Sequence, residues 1–169
     1  GQGADLILLA QRGEHYPLSR SVLLGSTAEA VVRKAGKPVL VTPVKFVEIE
    51  SMGVAYDGSP PAERALKIAA ELSDKARWPL TVLIVTDQAK LSADLSAKVE
   101  AALDEYLIDR DTIVLGGKEE KEILKFIDEG AVELMLMGTH GHSRFKELLL
   151  GSTTSHVIRK SRIPVLLTR

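Results

Sequence analysis

A glycine-rich segment near the end of the chain carries residue types that bind phosphate. Gly138 and Gly141 follow an apolar run, and after nine further residues Gly151 precedes Ser152 and Thr153. Glycines let a backbone turn sharply and approach a ligand without a Cβ in the way. Free N–H groups and hydroxyls at a helix start suit a phosphate. We predict phosphate contacts at these residues; a plain strand-to-helix connection with a hydroxyl cap is the alternative.

Alternating strands and helices must position this segment. Five short apolar runs predict buried strands, at 52–56, 80–85, 112–115, 134–137 and 164–167. Residues with helical spacing lie between them; Ser59 is the predicted N-cap of the first helix, with Pro60 at its first position. Strands that alternate with helices favour an α/β fold with a doubly wound parallel sheet of five strands.

Three parts of the chain together resemble one known family. The spacing Gly138-x2-Gly141-x9-Gly151-Ser152 resembles the nucleotide-binding signature of the universal stress protein family, in its ATP-binding branch. The residues from Val54 to Ser59 are similar to that family's first strand and acidic turn, and those from Pro164 to Leu167 to its last strand. The resemblance covers roughly residues 50 to 169.

The resemblance implies the strand order 3-2-1-4-5 and the location of a ligand. In such a sheet the ligand lies beyond the carboxyl ends of the strands at the switch point, here between the strands that end at Asp57 and Gly138. By resemblance, Asp57 faces the ribose or adenine region, Val85 lines the adenine pocket, and His140 presents its backbone and ring to phosphates. Asp57 as a turn residue and Val85 as core remain open alternatives.

An internal repeat divides the chain unequally. The residues 23–27 are identical to 149–153, and 38–42 match 164–168. We therefore predict that residues 1–45 are the C-terminal strand-helix-strand part of an incomplete module, and that residues 46–169 form a complete one. In the first copy Ala10 replaces the first signature glycine, and eleven residues rather than nine separate Gly13 from Gly25. A nucleotide site in the first copy is therefore doubtful.

Composition narrows the function classes. The net charge of −1 argues against a general nucleic-acid or membrane-surface binder. The absence of cysteine excludes disulfides, thiolate metal sites and a cysteine nucleophile. No apolar run reaches the roughly 18 residues of a membrane span, so a cytoplasmic protein is expected. His140 and His142 suggest a metal pair, but no third ligand is evident and no metal site is predicted.

The function expected from the resemblance is adenine-nucleotide binding, with ATP, ADP or AMP as ligand, Mg²⁺ beside a triphosphate, and a regulatory role in stress. No catalytic residue is predicted, because no candidate for orienting a water is evident, so any ATP hydrolysis should be slow. A hydrolase or nucleotidyl transferase of the same fold group and a ligand-free dimerisation module are the alternatives. The twin strands Val39–Thr42 and Val165–Thr168 are expected to pair antiparallel, within one chain or by self-association.

Overall fold

A computed structural model describes residues 3–11, 26–141 and 150–169, and for residues 26–28 the backbone alone. Strands and helices follow one another along these residues. In chain order they are β1 (Ile7–Ala10), α1 (Ser26–Lys34), β2 (Val39–Thr42), β3 (Met52–Ala55), α2 (Pro60–Ala76), β4 (Leu80–Val85), α3 (Ala89–Leu103), β5 (Arg110–Leu115), α4 (Glu119–Asp128), β6 (Leu134–Gly138), α5 (Ser152–Lys160) and β7 (Val165–Thr168). No helix in the described part is both long and apolar enough to cross a bilayer.

The described strands form one sheet in the order β1-β2-β7-β6-β3-β4-β5. The pairings are parallel except where β2 meets β7. Numbered from residue 52 onward, the order is 3-2-1-4-5, as the family resemblance implies. The predicted α/β class with a doubly wound, mostly parallel sheet is confirmed, and the strands of the first copy extend that sheet by two.

The local sequence explains where α2, the helix that follows β3, begins and ends. The predicted cap is present: the hydroxyl of Ser59 accepts a hydrogen bond from the Ala62 amide at 3.4 Å, and Pro60 is the first helical residue. The helix ends where Arg77 adopts a left-handed conformation, with φ of 61°, and donates its amide to the carbonyl of Ser73. Such a terminus satisfies a carbonyl that the last helical turn leaves unpaired.

Apolar residues cover both faces of the sheet, as the doubly wound prediction requires. On one face α2 and α3 pack against the strands, and on the other α4 and α5 do so. Val32 of α1 and Val39 and Val41 of β2 are buried on the face that α4 and α5 cover. The first copy therefore packs on the core of the second.

The twin strands pair as expected, and they do so within one chain. Residues 39–41 of β2 lie antiparallel to residues 165–167 of β7, with Leu40 opposite Leu166. Each strand also has a second neighbour, β1 for β2 and β6 for β7, so neither is a free edge. Side chains tie the two copies together: Gln11 donates to the carbonyl of Ile158 at 2.5 Å, and Glu29 pairs with Arg159.

Candidate functional site

A cavity of about 720 Å³ opens beyond the carboxyl ends of the central strands. It lies where β3 and β6, the first and fourth strands from residue 52 onward, are adjacent, which is the predicted switch point. All eight predicted binding residues are among the residues that line it: Asp57, Val85, Gly138, His140, Gly141, Gly151, Ser152 and Thr153. The fold therefore gathers residues from distant parts of the chain around one space.

Asp57 has a role in its own turn and also faces the glycine loop. Its Oδ1 accepts a hydrogen bond from the Ser59 amide at 2.9 Å, which is the turn interaction that the alternative proposed. Its Oδ2 lies 2.7 Å from the place that a Cβ on Gly141 would occupy. The glycine at 141 thus allows the Asp57 carboxylate to approach the loop after β6.

Gly138 is required by packing between β6 and α2. A Cβ there would lie 2.8 Å from the Cβ of Pro61 and 3.2 Å from the amide nitrogen of Ala62, which is closer than side chains normally approach. The carbonyl of Gly138 accepts a hydrogen bond from the Thr154 hydroxyl at 2.8 Å. The first glycine of the signature therefore holds α2, β6 and α5 together beside the cavity.

Gly151 differs from Gly138, because its contacts with the described part of the chain do not require a glycine there. Its φ of −59° and ψ of 148° suit any residue, and a Cβ would meet its nearest neighbour, the Cα of His140, at an ordinary 3.4 Å. Its own amide donates to the carbonyl of Thr139 at 2.8 Å. The small residue therefore leaves space in the cavity wall rather than relieving strain.

The start of α5 presents backbone donors to the cavity. Gly151 is the N-cap and Ser152 and Thr153 are the first helical residues, so the alternative interpretation of their hydroxyls as caps does not apply. The first N–H groups of a helix have no partner within it, and the helix dipole places partial positive charge there. Ser152 is exposed and Thr153 half-buried along the cavity wall. This wall can accept an anion.

His140 and Val85 line the cavity from two different strand ends, those of β6 and β4. The Nδ1 of His140 lies 3.0 Å from the Thr139 hydroxyl, so one ring nitrogen already has a partner. Val85 ends β4 opposite Leu115; it lines the cavity and also packs on the core, so both of its interpretations stand. His142, Arg144 and Lys146 lie outside the described residues. Within the described ranges no cluster of three His, Asp or Glu side chains suits a metal.

Sequence reasoning missed Tyr56 and Glu119, which also line the cavity. Tyr56 was assigned to the first strand, but β3 ends at Ala55 and Tyr56 is buried just beyond it. Burial, and then the nearby charges of Glu63 and Asp57, raises the pKa of Tyr56 above its usual value, so its phenol stays protonated at neutral pH. Glu119 begins α4 soon after β5, at the same edge of the sheet. Its position shortly after a predicted strand end was the sequence feature that could have identified it as a lining residue.

Comparisons with known proteins agree with this architecture. The model of the universal stress protein family matches residues 1–43 and 48–169. A universal stress protein from Synechocystis is 36% identical over 167 residues, which are 98% of this chain and 58% of that protein. The crystal structure of a universal stress protein from Archaeoglobus fulgidus has a TM-score of 0.78 at 28% identity, covering 99% of this chain and 62% of that one.

A second structure from Archaeoglobus fulgidus is a universal stress protein in complex with dAMP. It has a TM-score of 0.58 at 21% identity, over 73% of this chain and all of that one. That likeness shows the fold alone. The chain spans about three fifths of the two longer proteins that it matches along nearly its whole length. Because the family model covers almost every residue, the chain belongs to the universal stress protein family.

Proposed function

We propose that residues 46–169 bind an adenine nucleotide, ATP, ADP or AMP, and serve a regulatory role in the response to stress. The observation that carries this proposal is that Asp57 just beyond β3, the glycines at and after the end of β6 and the first turn of α5 line one cavity. Its volume of about 720 Å³ lies within the range of roughly 300–1,000 Å³ typical of small-molecule sites.

The phosphates would lie at the start of α5. The conformation of Gly151 and its contacts with the described residues admit a side chain, so the glycine leaves room there for the close approach of a ligand. The described lining residues include no lysine or arginine, so within them the N–H groups and dipole of α5 supply the attraction for phosphate. Mg²⁺ would accompany a triphosphate and offset part of its charge.

The base and ribose would lie toward β4 and α3. Apolar side chains line that part of the cavity, among them Val85, Leu91, Leu95 and Ile123, and such walls suit the faces of a purine. Asp57 can accept a hydrogen bond from a ribose hydroxyl. The dAMP complex of a protein with the same fold supports an adenine nucleotide as the ligand class.

Calorimetry with ATP, ADP and AMP should detect binding of at least one of them to the full chain. Gly151→Val should abolish this binding, because its branched side chain would narrow the cavity wall where phosphate is proposed to lie. Gly36→Val is the matched control: a Cβ on Gly36 would meet no atom of the described residues within 4 Å, and Gly36 does not line the cavity. Absence of any binding by the unchanged protein would overturn the proposal in favour of the ligand-free module.

Any ATP hydrolysis should be slow. The cavity offers positioning for phosphates, but we assign none of its described residues to orienting an attacking water, which phosphoryl transfer requires. Phosphate release measured with ATP and Mg²⁺ should therefore fall far below the enzyme median of about 10 per second. A turnover near that value would instead place the protein among the enzymes of the same fold group.

The proposal includes an organisation of the chain. Residues 1–45 would be the C-terminal part of an incomplete module and residues 46–169 a complete one, in a protein of the cytoplasm. The repeated sequence and the antiparallel contact of β2 with β7 support this division. Association of separate chains would need a surface other than these two strands, because each already has two neighbours in the sheet.

A further inference from the structure

An acidic side chain, that of Glu119, lines the cavity from the start of α4. Glu119 is the first residue of this helix, and Ile123, one turn later, also lines the cavity. Residues four apart on a helix are neighbours on one face, so the two side chains form a continuous wall. Ile123 is buried in the core and Glu119 is exposed. The wall is therefore apolar at its base and carries a carboxylate at its open end.

The start of α4 is held against the end of β4. Asp87, two residues after β4, accepts a hydrogen bond from the Gly117 amide at 2.9 Å. A Cβ on Gly116 would lie 2.6 Å from the same carboxylate oxygen, so the segment that leads into α4 passes directly against Asp87. The helix itself packs on β4. These contacts place Glu119 on the same side of the cavity as Val85, the last residue of β4.

This side is the part of the cavity in which the base is proposed to lie. Val85 and Ile123 are two of the apolar side chains assigned to the faces of the purine, whereas the phosphates are assigned to the start of α5. A purine packed on Val85 and Ile123 would bring one of its polar edges to Glu119. Within the described residues no hydrogen bond or ion pair involves the Glu119 carboxylate, so it is able to accept one from a ligand.

We propose that Glu119 selects adenine over 6-oxopurines by accepting a hydrogen bond from the 6-amino group of the base. This inference rests on the proposed nucleotide site. An ionised carboxylate accepts hydrogen bonds and donates none. The amino group of adenine supplies the donor, while hypoxanthine and guanine carry at the same position a carbonyl oxygen, which is a second acceptor. A 6-oxopurine therefore either opposes the carboxylate or moves away from its place in the cavity.

The neighbouring polar side chains lack this selectivity. Thr86 and Gln88 also line the cavity beside β4 and α3, and the side chain of Gln88 makes no cap hydrogen bond to α3. A hydroxyl and an amide each contain a donor and an acceptor, so either can turn to suit an amino group or a carbonyl oxygen. Glu119 is thus the described side chain in this part of the lining whose chemistry distinguishes the two groups.

The test compares adenine and hypoxanthine nucleotides of equal phosphate number by calorimetry: AMP with IMP, ADP with IDP, and ATP with ITP. The original chain should bind the adenine member about tenfold more tightly or better, as expected for a charge-assisted hydrogen bond that its competitor cannot make. Glu119→Gln should lower this ratio about tenfold, mainly by strengthening the binding of hypoxanthine, because the new amide can donate to the 6-oxygen.

Glu120→Gln is the matched control. It removes the same charge from the same first turn of α4, and Glu120 does not line the cavity. Because both acidic groups favour the helix start, the two variants should change the urea midpoint alike. Only Glu119→Gln should change the ratio of the two affinities.

The outcomes separate this inference from the nucleotide site on which it rests. Nucleotide binding with the same ratio in Glu119→Gln and in the original chain would overturn the inference alone. Equal strengthening of both nucleotides would also overturn it, because the carboxylate would then oppose the phosphates rather than read the base. A preference for GMP that Glu119→Gln abolishes would do so too, since guanine offers a carboxylate its N1–H and N2–H together. Failure of every nucleotide to bind would overturn the proposed function and this inference with it.

Discussion

Ser152→Asp is expected to lower the affinity for adenine nucleotide by about 10- to 100-fold without lowering the stability of the fold. Ser152 is exposed and is the first residue of α5. A carboxylate within roughly 5 Å of a bound phosphate would oppose it by about 1–3 kcal/mol at the effective dielectric of a protein surface. The same carboxylate favours the helix itself, since acidic groups stabilise helix N-termini by about 0.3–1 kcal/mol.

These two effects of opposite sign make the variant informative. Calorimetry gives the affinity and urea unfolding gives the stability. Ser152→Asn is the control, because asparagine has nearly the size of aspartate and carries no charge. If the two variants bind nucleotide equally well, the phosphates do not lie at the start of α5, whatever else the cavity holds.

Gly138→Ala is expected to destabilise the fold by about 1–3 kcal/mol, the usual cost of overpacking. The added Cβ would press on the Cβ of Pro61 at 2.8 Å and on the amide nitrogen of Ala62 at 3.2 Å. These atoms belong to the backbone and a proline ring at the start of α2, so relief requires the helix to move. Urea unfolding, followed by the fluorescence of the single tryptophan, Trp78, measures the change.

Gly151→Ala is the matched control for this prediction. Both glycines belong to the same signature and line the same cavity. At Gly151 an added Cβ has ordinary contacts of 3.4 Å or more, so the cost should stay below about 1 kcal/mol, the usual value of an N-cap change. Equal destabilisation by the two variants would contradict the division between Gly138, which packing requires, and Gly151, whose described neighbours leave space for a Cβ.

That division could not have been predicted from the sequence. From the sequence, all the signature glycines were predicted to allow close approach of a ligand. That prediction does not distinguish one glycine from another. Pro61 is far from Gly138 along the chain, and only the packing of α2 on β6 brings them together. In the same way, the turn at Asp57 was predictable from neighbouring residues, whereas its closeness to Gly141 depends on β3 lying beside β6.

The sequence by itself determined the features that depend on local order and composition. Alternating apolar runs and helical spacing predicted the α/β class, Ser59 and Pro60 predicted the start of α2, and the repeat predicted twin strands able to pair. The tertiary structure decided that the twin strands pair within one chain. This pairing brings residues 39–41 next to residues 165–167, which are far apart in the sequence. The tertiary structure also decided that Leu136 is buried while Leu8 is exposed. The same residue type in the same local pattern differs in burial because α2 and β3 cover only one of the two positions.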